Sequence, residues 1–328
     1  MVATDGNGPT SRGGGTNRIL PMTNLSDANT GHAPVLLDEA MGFLAPVAGG
    51  VYCDATVGLG GHAAAVLQRS SPGGRLIGID RDEAALERAR VRLEAFGDRV
   101  TLVHARFGSI RTVLESAGAL PVDGCLVDLG VSSLQLDTPE RGFSFRHSGP
   151  LDMRMDPTQG ESAADFLRRA SEPELEGILR DLGEERHARK IAAAIVQSRG
   201  SQELSTTGAL AGLVAHVIRG RERNKDPATR TFQALRIALN DELGEIERFL
   251  ADIPGCLRLG GRLVVIGFHS LEDRMVKRRF RALAGPEALA GPRLRILTKH
   301  VVVASDEERE RNPRSRSAKL RAAERLPS

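Results

Sequence analysis

Asp54 stands just ahead of a glycine-rich stretch, Gly58-Leu59-Gly60-Gly61-His62, and this order of residue types suits a nucleotide-like ligand. Val51–Ala55 reads as a short strand running into the turn, and the residues after the turn read as a helix. Glycine lets a backbone turn tightly and lets a ligand come close. The free N–H groups at the start of the following helix then face that ligand. A second strand, Arg75–Asp80, ends on an acid about 20 residues after the first glycine, the spacing used to hold ribose hydroxyls. Asp80 is equally well placed to cap the helix that follows.

Gly58, Gly60 and Ala63 also fit the G-x-G-x-x-A pattern of a dinucleotide site, a weak signal when taken alone. Asp54 favours S-adenosylmethionine over a dinucleotide, because a carboxylate there meets the ammonium of the methionine part and repels a pyrophosphate. A third acid, Asp128, ends the strand Gly124–Asp128 and is followed by Leu129-Gly130-Val131-Ser132-Ser133. In an open α/β sheet ligands sit beyond the carboxyl ends of the strands, which puts Asp128 at the reacting centre. Its chemistry suits transfer to an exocyclic amine, which conjugation flattens and makes a poor nucleophile. A carboxylate with nearby carbonyls binds both amine hydrogens, aims the nitrogen at an electrophilic methyl and stabilises the developing charge. The alkylated nitrogen then loses its proton to Asp128 or to water, and His269, after a later strand, is a candidate partner for the target base or for the loop. The bland alternatives are a capping carboxylate and a loop-fixing histidine.

The elements that must position these groups alternate from His32 onward. Strands Val51–Ala55, Arg75–Asp80, Val100–His104 and Gly124–Asp128 are separated by helical patterns, the clearest over Asp82–Phe96. Such alternation means a parallel sheet covered on both faces. From about Leu136 to Thr229 only helical spacing remains, over Ser162–Ala170, Glu172–Leu182, Glu184–Arg199 and Thr206–Arg219. A long helix over Thr231–Ile253, a turn at Gly260-Gly261, a strand Arg262–Phe268 and a helix Ser270–Leu283 follow, and Leu294–Leu297 with His300–Val303 reads as a closing hairpin. The implied divisions are 1–30 as a disordered extension, 31–137 and 230–305 as two parts of one core, 138–229 as a helical insertion, and 306–328 as a basic tail. The extension is rich in Gly, Thr, Asn and Ser, so translation starting at Met1 or at Met22 gives the same folded part.

Composition narrows the class. Of the 328 residues 41% are hydrophobic and 27% charged, ordinary for a globular protein. No apolar run is long enough to span a membrane, so no membrane partner is expected. The cysteines Cys53, Cys125 and Cys256 lie far apart without metal-ligand spacing, so free thiols, a reducing cytoplasm and no metal are expected. A net charge of +3 and a pI near 9.0 allow a nucleic-acid partner.

From His32 to the C-terminus the chain resembles the family of ribosomal RNA small-subunit methyltransferase H. The resemblance rests on His32–Leu37 with Glu39, Asp54–His62, Asp128–Ser133 with Gln135, Arg141–Phe145, Gly149–Asp156, Gly183–Arg186, Ala228–Ala234, Phe268–Arg274 and Asn312–Ser317, all in the family's order. The departures are local: Gly267-Phe268 where Ser-Phe is usual, and Leu259-Gly260-Gly261 where Pro-Gly-Gly is common. The resemblance implies an α/β fold, a Rossmann-like class I S-adenosylmethionine-dependent methyltransferase sheet with an all-helical inserted domain. It implies methylation of N4 of a cytidine in the decoding centre of the 16S rRNA, on the small ribosomal subunit or a late assembly intermediate. It implies a cofactor site carried by Gly60, Gly61, His62, Asp80, Phe107, Asp128 and Gln135, to which the residue reading adds Asp54 and Gly58. Without the resemblance Phe107 reads as core, Gln135 as a loop polar residue and His62 as a cap or surface residue. Monomer and homodimer both stay open.

An RNA partner needs phosphate-binding charge and a way to present one unstacked base. The loop Arg219–Lys225, with Arg221, Arg223 and Lys225, is the first candidate for backbone contact. Arg186, Arg189 and Lys190, the run Arg274, Lys277, Arg278 and Arg279, and the tail arginines Arg314 and Arg316 are further candidates. The chain has no Trp and only Tyr52, so stacking falls to Phe143 and Phe145, unless they are core. Asp152, Arg154 and Asp156 share one side of an extended segment and line the substrate cleft, or form an ion-pair network. Two other readings remain: a nicotinamide-dependent oxidoreductase, and a non-catalytic RNA-binding assembly factor.

Overall fold

A computed structural model describes residues 33–199, 204–218, 226–285 and 291–327. The expected extension 1–30 and the loop with Arg221, Arg223 and Lys225 lie outside the described residues. The elements belong to one unit, Pro34–Ser328.

Helix α1 (Leu37–Leu44) precedes β1 (Val51–Asp54), α2 (Gly61–Arg69), β2 (Arg75–Asp80), α3 (Glu83–Leu93), β3 (Val100–His104), α4 (Ile110–Ser116) and β4 (Val122–Asp128). The expected alternation is there, with boundaries shifted by a residue or two. A short α5 (Ser133–Asp137) then leads to α6 (Ala163–Arg169), α7 (Glu172–Asp181), α8 (Ala188–Ser198), α9 (Thr207–Val217) and α10 (Thr229–Leu239). The sheet resumes after α11 (Glu242–Cys256) with β5 (Leu257–Gly267), α12 (Ser270–Ala284), β6 (Arg293–Ile296), α13 (Asp306–Arg311) and β7 (Lys319–Leu326).

The strands form one seven-stranded sheet in the order β3-β2-β1-β4-β5-β7-β6. Strands β1 to β5 are parallel, and β7 runs antiparallel to both of its neighbours. This is the Rossmann-like α/β sheet that was expected. One face is covered by α4, α11 and α12 around Ile110, Phe249 and Phe280, the other by α1, α2 and α3 around Met41, Leu67 and Leu86. Because β1 leads to β2 and β3 on one side and β4 leads to β5 on the other, the order reverses between β1 and β4. A ligand crevice opens beyond the strand ends at such a point. The helices after β4 have a core of their own, which includes Leu151, Met153, Phe166, Leu179, Ile191 and Leu235.

Three expectations need correction. The single helix over Thr231–Ile253 is two helices, broken where Asp241 takes a left-handed φ of 49°. The break is held by Asn240, whose Nδ2 donates to the carbonyls of Met153 (2.8 Å) and Arg236 (2.9 Å). The closing hairpin is not formed by Leu294–Leu297 and His300–Val303: β6 pairs with β7, and Val302 makes only an isolated bridge to Leu320. The stretch set apart as a basic tail therefore supplies a strand inside the sheet, because Leu320, Ala322 and Ala323 are fully buried there. At Gly260, φ 78° marks the expected turn, but within β5, where the register against β4 jumps between Val122 and Gly124.

Candidate active site

The turn after β1 is built by glycines with separate duties. Gly58 (φ 50°) and Gly60 (φ 79°) occupy the left-handed region that a side chain disfavours. Gly61 is held by space, since a Cβ there would lie 2.4 Å from Cγ of Pro34. Gly60 starts α2 without a side-chain cap, so the first N–H groups of α2 stay available at the strand edge. The turn is stitched to its neighbours: the N–H of Val57 donates to Ile79 O, and the N–H of Ala55 to Leu126 O, each at 2.8 Å.

Three acids end three adjacent strands. Asp54 ends β1, is 1% exposed and accepts a bond from the N–H of Thr56 on Oδ1 at 3.3 Å, while its Oδ2 has no hydrogen-bond partner among the described residues. Burial, with the charge of Asp80 nearby, pushes its pKa up to about 7, against the N–H of Thr56, which pulls it down. Asp80 ends β2 and accepts from the N–H groups of Gly58 (on Oδ2) and Asp82 (on Oδ1), both at 2.9 Å. Each oxygen keeps a second lone pair, so the carboxylate shapes the turn and can still receive hydroxyls. Burial raises its pKa as well. Asp128 ends β4, with its backbone fixed by N–H donation to Thr56 Oγ1 at 2.7 Å. Its Oδ1 is buried without a partner among the described residues, and burial, Asp54 and Glu272 hold its pKa well above the carboxylate range.

His62 is 6% exposed and faces inward. Its Nε2 lies 3.0 Å from the carbonyl of Val35, and its Nδ1 lies 3.9 Å from Oδ2 of Asp128. Burial lowers its pKa to about 4, so the ring is neutral near pH 7 and this contact is not an ion pair. A neutral ring that donates from Nε2 presents the Nδ1 lone pair toward Asp128. Nothing in the residue spacing revealed this, and the cap or surface role weighed for His62 does not hold.

Gln135 is 4% exposed and its amide is committed inside the protein. Its Oε1 accepts from the N–H of Ser132 (3.0 Å) in a capping box at the start of α5, and its Nε2 donates to Oδ2 of Asp82 (2.9 Å). Arg141 donates to the same oxygen at 2.8 Å and to the carbonyls of Arg154 and Met155 at 3.1 and 3.0 Å. Asp82 thus caps α3 and gathers the loops after β4. Sequence reasoning missed this hub; the one signal for it is an Asp ahead of a helix. Phe107 is half-buried with its ring edge-on to Phe249 at 5.7 Å, which leaves part of the ring at the strand edge.

Most of the remaining candidates are engaged by other partners. Phe143 is buried beneath Arg141, and Phe145 packs against Phe232 at 4.7 Å beside the helical core, so both have core contacts. Arg154 clamps Asp152 with two 2.8 Å bonds, the chain between them turning at Met153 (φ 63°), whereas Asp156 caps Thr158 and faces His104. The segment is therefore a locally paired turn rather than an extended row. Arg314 pairs with Asp137 at 2.5 Å, and Arg316 is exposed.

His269 caps α12: its Nδ1 accepts from the N–H of Glu272 at 3.4 Å, and Glu272 Oε2 accepts from the N–H groups of Phe268 (2.7 Å) and His269 (3.1 Å). Glu242, His269 and Glu272 bring ligand-type atoms within 4.8 Å of one another. However, Arg236 grips both oxygens of Glu242 at 2.7 and 2.8 Å. With Nδ1 accepting, the ring proton sits on Nε2, 3.1 Å from Glu272 Oε1, and leaves no lone pair for a metal. The cluster is a salt-linked junction between α10, α11 and α12.

The profile of the MraW methylase family matches residues 29–326. The ribosomal RNA small subunit methyltransferase H of Trichlorobacter lovleyi is 52% identical over 307 residues, covering 90% of this chain and 98% of that protein. The protein of that name from Thermomicrobium roseum is 51% identical over 308 residues, covering 91% and 94%. Among solved structures, an rRNA methylase from Streptococcus thermophilus covers 89% of this chain and 94% of its own at TM-score 0.40 and 11% identity. TrmN from Thermus thermophilus covers 92% and 51% at TM-score 0.43 and 12% identity.

Proposed function

The chain belongs to the MraW methylase family, and from that premise we propose that it methylates N4 of a cytidine in the decoding centre of the 16S rRNA, with S-adenosylmethionine as donor. Its substrate is the small ribosomal subunit or a late assembly intermediate, in the cytoplasm. Among the described residues no helix is long and apolar enough to cross a membrane.

The residues fit the cofactor. Asp54 Oδ2, buried and without a partner, suits the ammonium of the methionine part, and the uncapped start of α2 suits its carboxylate. Asp80 suits the ribose hydroxyls, and Phe107 offers a wall for the adenine. When bound, S-adenosylmethionine supplies an electrophilic methyl group on a sulfonium sulfur.

The observation that carries the amine reading is the unpartnered Oδ1 of Asp128 at the end of β4. A buried acceptor without a donor calls for an incoming N–H. An exocyclic amine supplies it, and the bond orients the nitrogen lone pair toward the methyl group. As the nitrogen gains its new bond to carbon it becomes acidic and loses one proton. Asp128 receives that proton readily, because burial beside Asp54 and Glu272 raises its proton affinity. His269, tied into the cap of α12, fixes the loop beside this site rather than moving protons.

Nucleoside mass spectrometry of small-subunit rRNA, from cells with and without the gene, tests the reading. Loss of N4-methylcytidine on deletion, restored by the wild-type chain and not by Asp128→Ala, is expected. Unchanged N4-methylcytidine would overturn it.

A further inference from the structure

Outside the strand edge, Arg321 on β7 sits among other cations. It lines a small cavity of about 60 Å³ with Lys277 and Arg281 of α12 and Lys299 just past β6. Phe280, Ile296 and Thr298 close the cavity between these cations. The sequence marked the α12 run as basic, but β7 and the segment after β6 complete the ring of charge, and neither was legible as a neighbour of α12.

The four cations differ in how they are engaged. Asp273 holds Arg321 through Nε (2.6 Å) and Nη2 (3.1 Å). That ion pair fixes the guanidinium and leaves three of its five N–H donors free. Lys277, Arg281 and Lys299 are exposed, and among the described residues no carboxylate lies within ion-pair distance of them. Thr298 accepts the N–H of Ala322 on Oγ1 at 3.1 Å, which ties the segment carrying Lys299 to β7. Only one of the four cations has a carboxylate partner among the described residues, and an anion relieves the repulsion of the rest. The space is roomy enough for several ordered waters or for the oxygens of a phosphate group.

The cavity lies back from the substrate edge, on the flank where α12 meets β6 and β7. β7 enters the sheet at that edge, with Lys319 opposite Gly267 and Arg321 opposite Val265. Lys277 is about 10 Å along α12 from Ser270, at ~1.5 Å per residue.

We propose that Lys277, Arg281, Lys299 and Arg321 form a docking site for one backbone phosphate of the substrate RNA, a second anchor set back from the methyl-transfer centre. The proposal rests on the reading of the substrate as rRNA. Arg321 is the fixed donor, and the three unpaired side chains close around the phosphate.

Binding of the full chain to a small-subunit rRNA fragment, followed against salt, tests it. The Lys277→Ala/Arg281→Ala/Lys299→Ala variant should bind about tenfold more weakly, with the slope of log K on log salt smaller by about one, as for one lost phosphate contact. Its S-adenosylmethionine affinity and kcat should hold, while KM for the RNA rises. A second readout needs no variant: the rRNA fragment should protect Lys277 and Lys299 of the wild-type chain from amine acylation. An unchanged salt slope, or equal acylation with and without RNA, overturns the proposal. Loss of binding to intact subunits with normal binding to the naked fragment assigns the cavity to a ribosomal protein and also overturns it. Should the wild-type chain bind no rRNA at all, the functional reading fails and the docking site with it.

Discussion

Asp82 and Asp54 are both 1% exposed, yet one is surrounded by donors and the other is not. Asp82 receives the N–H of Ala84, the amide of Gln135 and the guanidinium of Arg141. Asp54 has one weak bond from Thr56, and an oxygen without a partner, as does Asp128 across the sheet edge. Burial of a polar group is costly unless it is bonded, so the two kinds of acid do different work. The satisfied acid binds loops together. The unsatisfied acids carry raised proton affinity and open acceptor sites, features that suit a ligand. Residue type and burial alone do not separate Asp82 from Asp54 and Asp128; the donor inventory does, while Asp80, bonded by two N–H groups, is marked by its place at the end of β2.

The largest test of that division is Asp128→Asn. It keeps the shape of the side chain but replaces one acceptor oxygen with a donor and cannot take a proton. Single-turnover methyl transfer to small subunits should fall by roughly 10²–10⁴-fold, the usual range for a positioned acid or base. Thermal stability should hold or rise, since the variant removes a buried group held at high cost. A fall in rate below tenfold would put Asp128 among the scaffold acids.

Asp54→Asn comes next. Removing the charge from the ammonium site should weaken S-adenosylmethionine by about 10–150-fold, from ~1.5–3 kcal/mol for a charged hydrogen bond. Stability should move the other way, and with pH. The Asp54 pKa is raised from 3.8 to about 7, so the folded chain keeps a proton that the unfolded chain has released. The stability contributed by this group is full below pH 3.8 and is lost as pH rises through about 7. The variant should therefore melt several degrees higher than wild type at about pH 8 and alike at about pH 4. Calorimetry of wild type should also show a proton released on cofactor binding below pH 7. A melting difference that is independent of pH would show that Asp54 is not held protonated.

Gln135→Ala sharpens the boundary, because Gln135 is implied as a cofactor ligand by resemblance yet has its amide committed to Ser132 and Asp82. A scaffold role predicts a loss of about 1–3 kcal/mol in stability, as for a broken buried network, with S-adenosylmethionine affinity falling less than tenfold. Direct contact predicts the reverse: weaker cofactor binding at unchanged melting temperature. Differential scanning fluorimetry and calorimetry on the same sample decide between them.

How much of this was legible follows the same division. The strand–glycine–acid order fixed β1, β2 and β4 and put Asp54, Asp80 and Asp128 on one edge, because strand periodicity and the switch-point rule act locally. Partnerships did not show, since Asp82 meets Gln135 and Arg141 only after the chain has crossed the sheet. Strand β7 was hidden because it buries alanines between arginines, a pattern that reads as a charged tail until β5 and β6 flank it. The α10–α11 break was hidden because helical spacing runs on through Asn240 and Asp241, although Asn is a known stop residue.

The smallest expected effect belongs to His62, which stands between the two classes. Its Nε2 is satisfied by the carbonyl of Val35, and its Nδ1 faces Asp128 at 3.9 Å, too far for a hydrogen bond. With the pKa lowered from 6.5 to about 4, the ring is neutral wherever the enzyme would work. Stability from this group is present above pH 6.5 and is lost as pH falls through about 4, when the buried ring must charge. His62→Gln keeps a donor for Val35 and removes the titrating ring, so the variant should lose less stability than wild type on acidification. Its transfer rate should fall less than tenfold, with the acid limb of the pH–rate profile in place. A shifted acid limb would mean that His62 and Asp128 titrate as a pair, and that the unsatisfied oxygen of Asp128 is only half of the proton-accepting group.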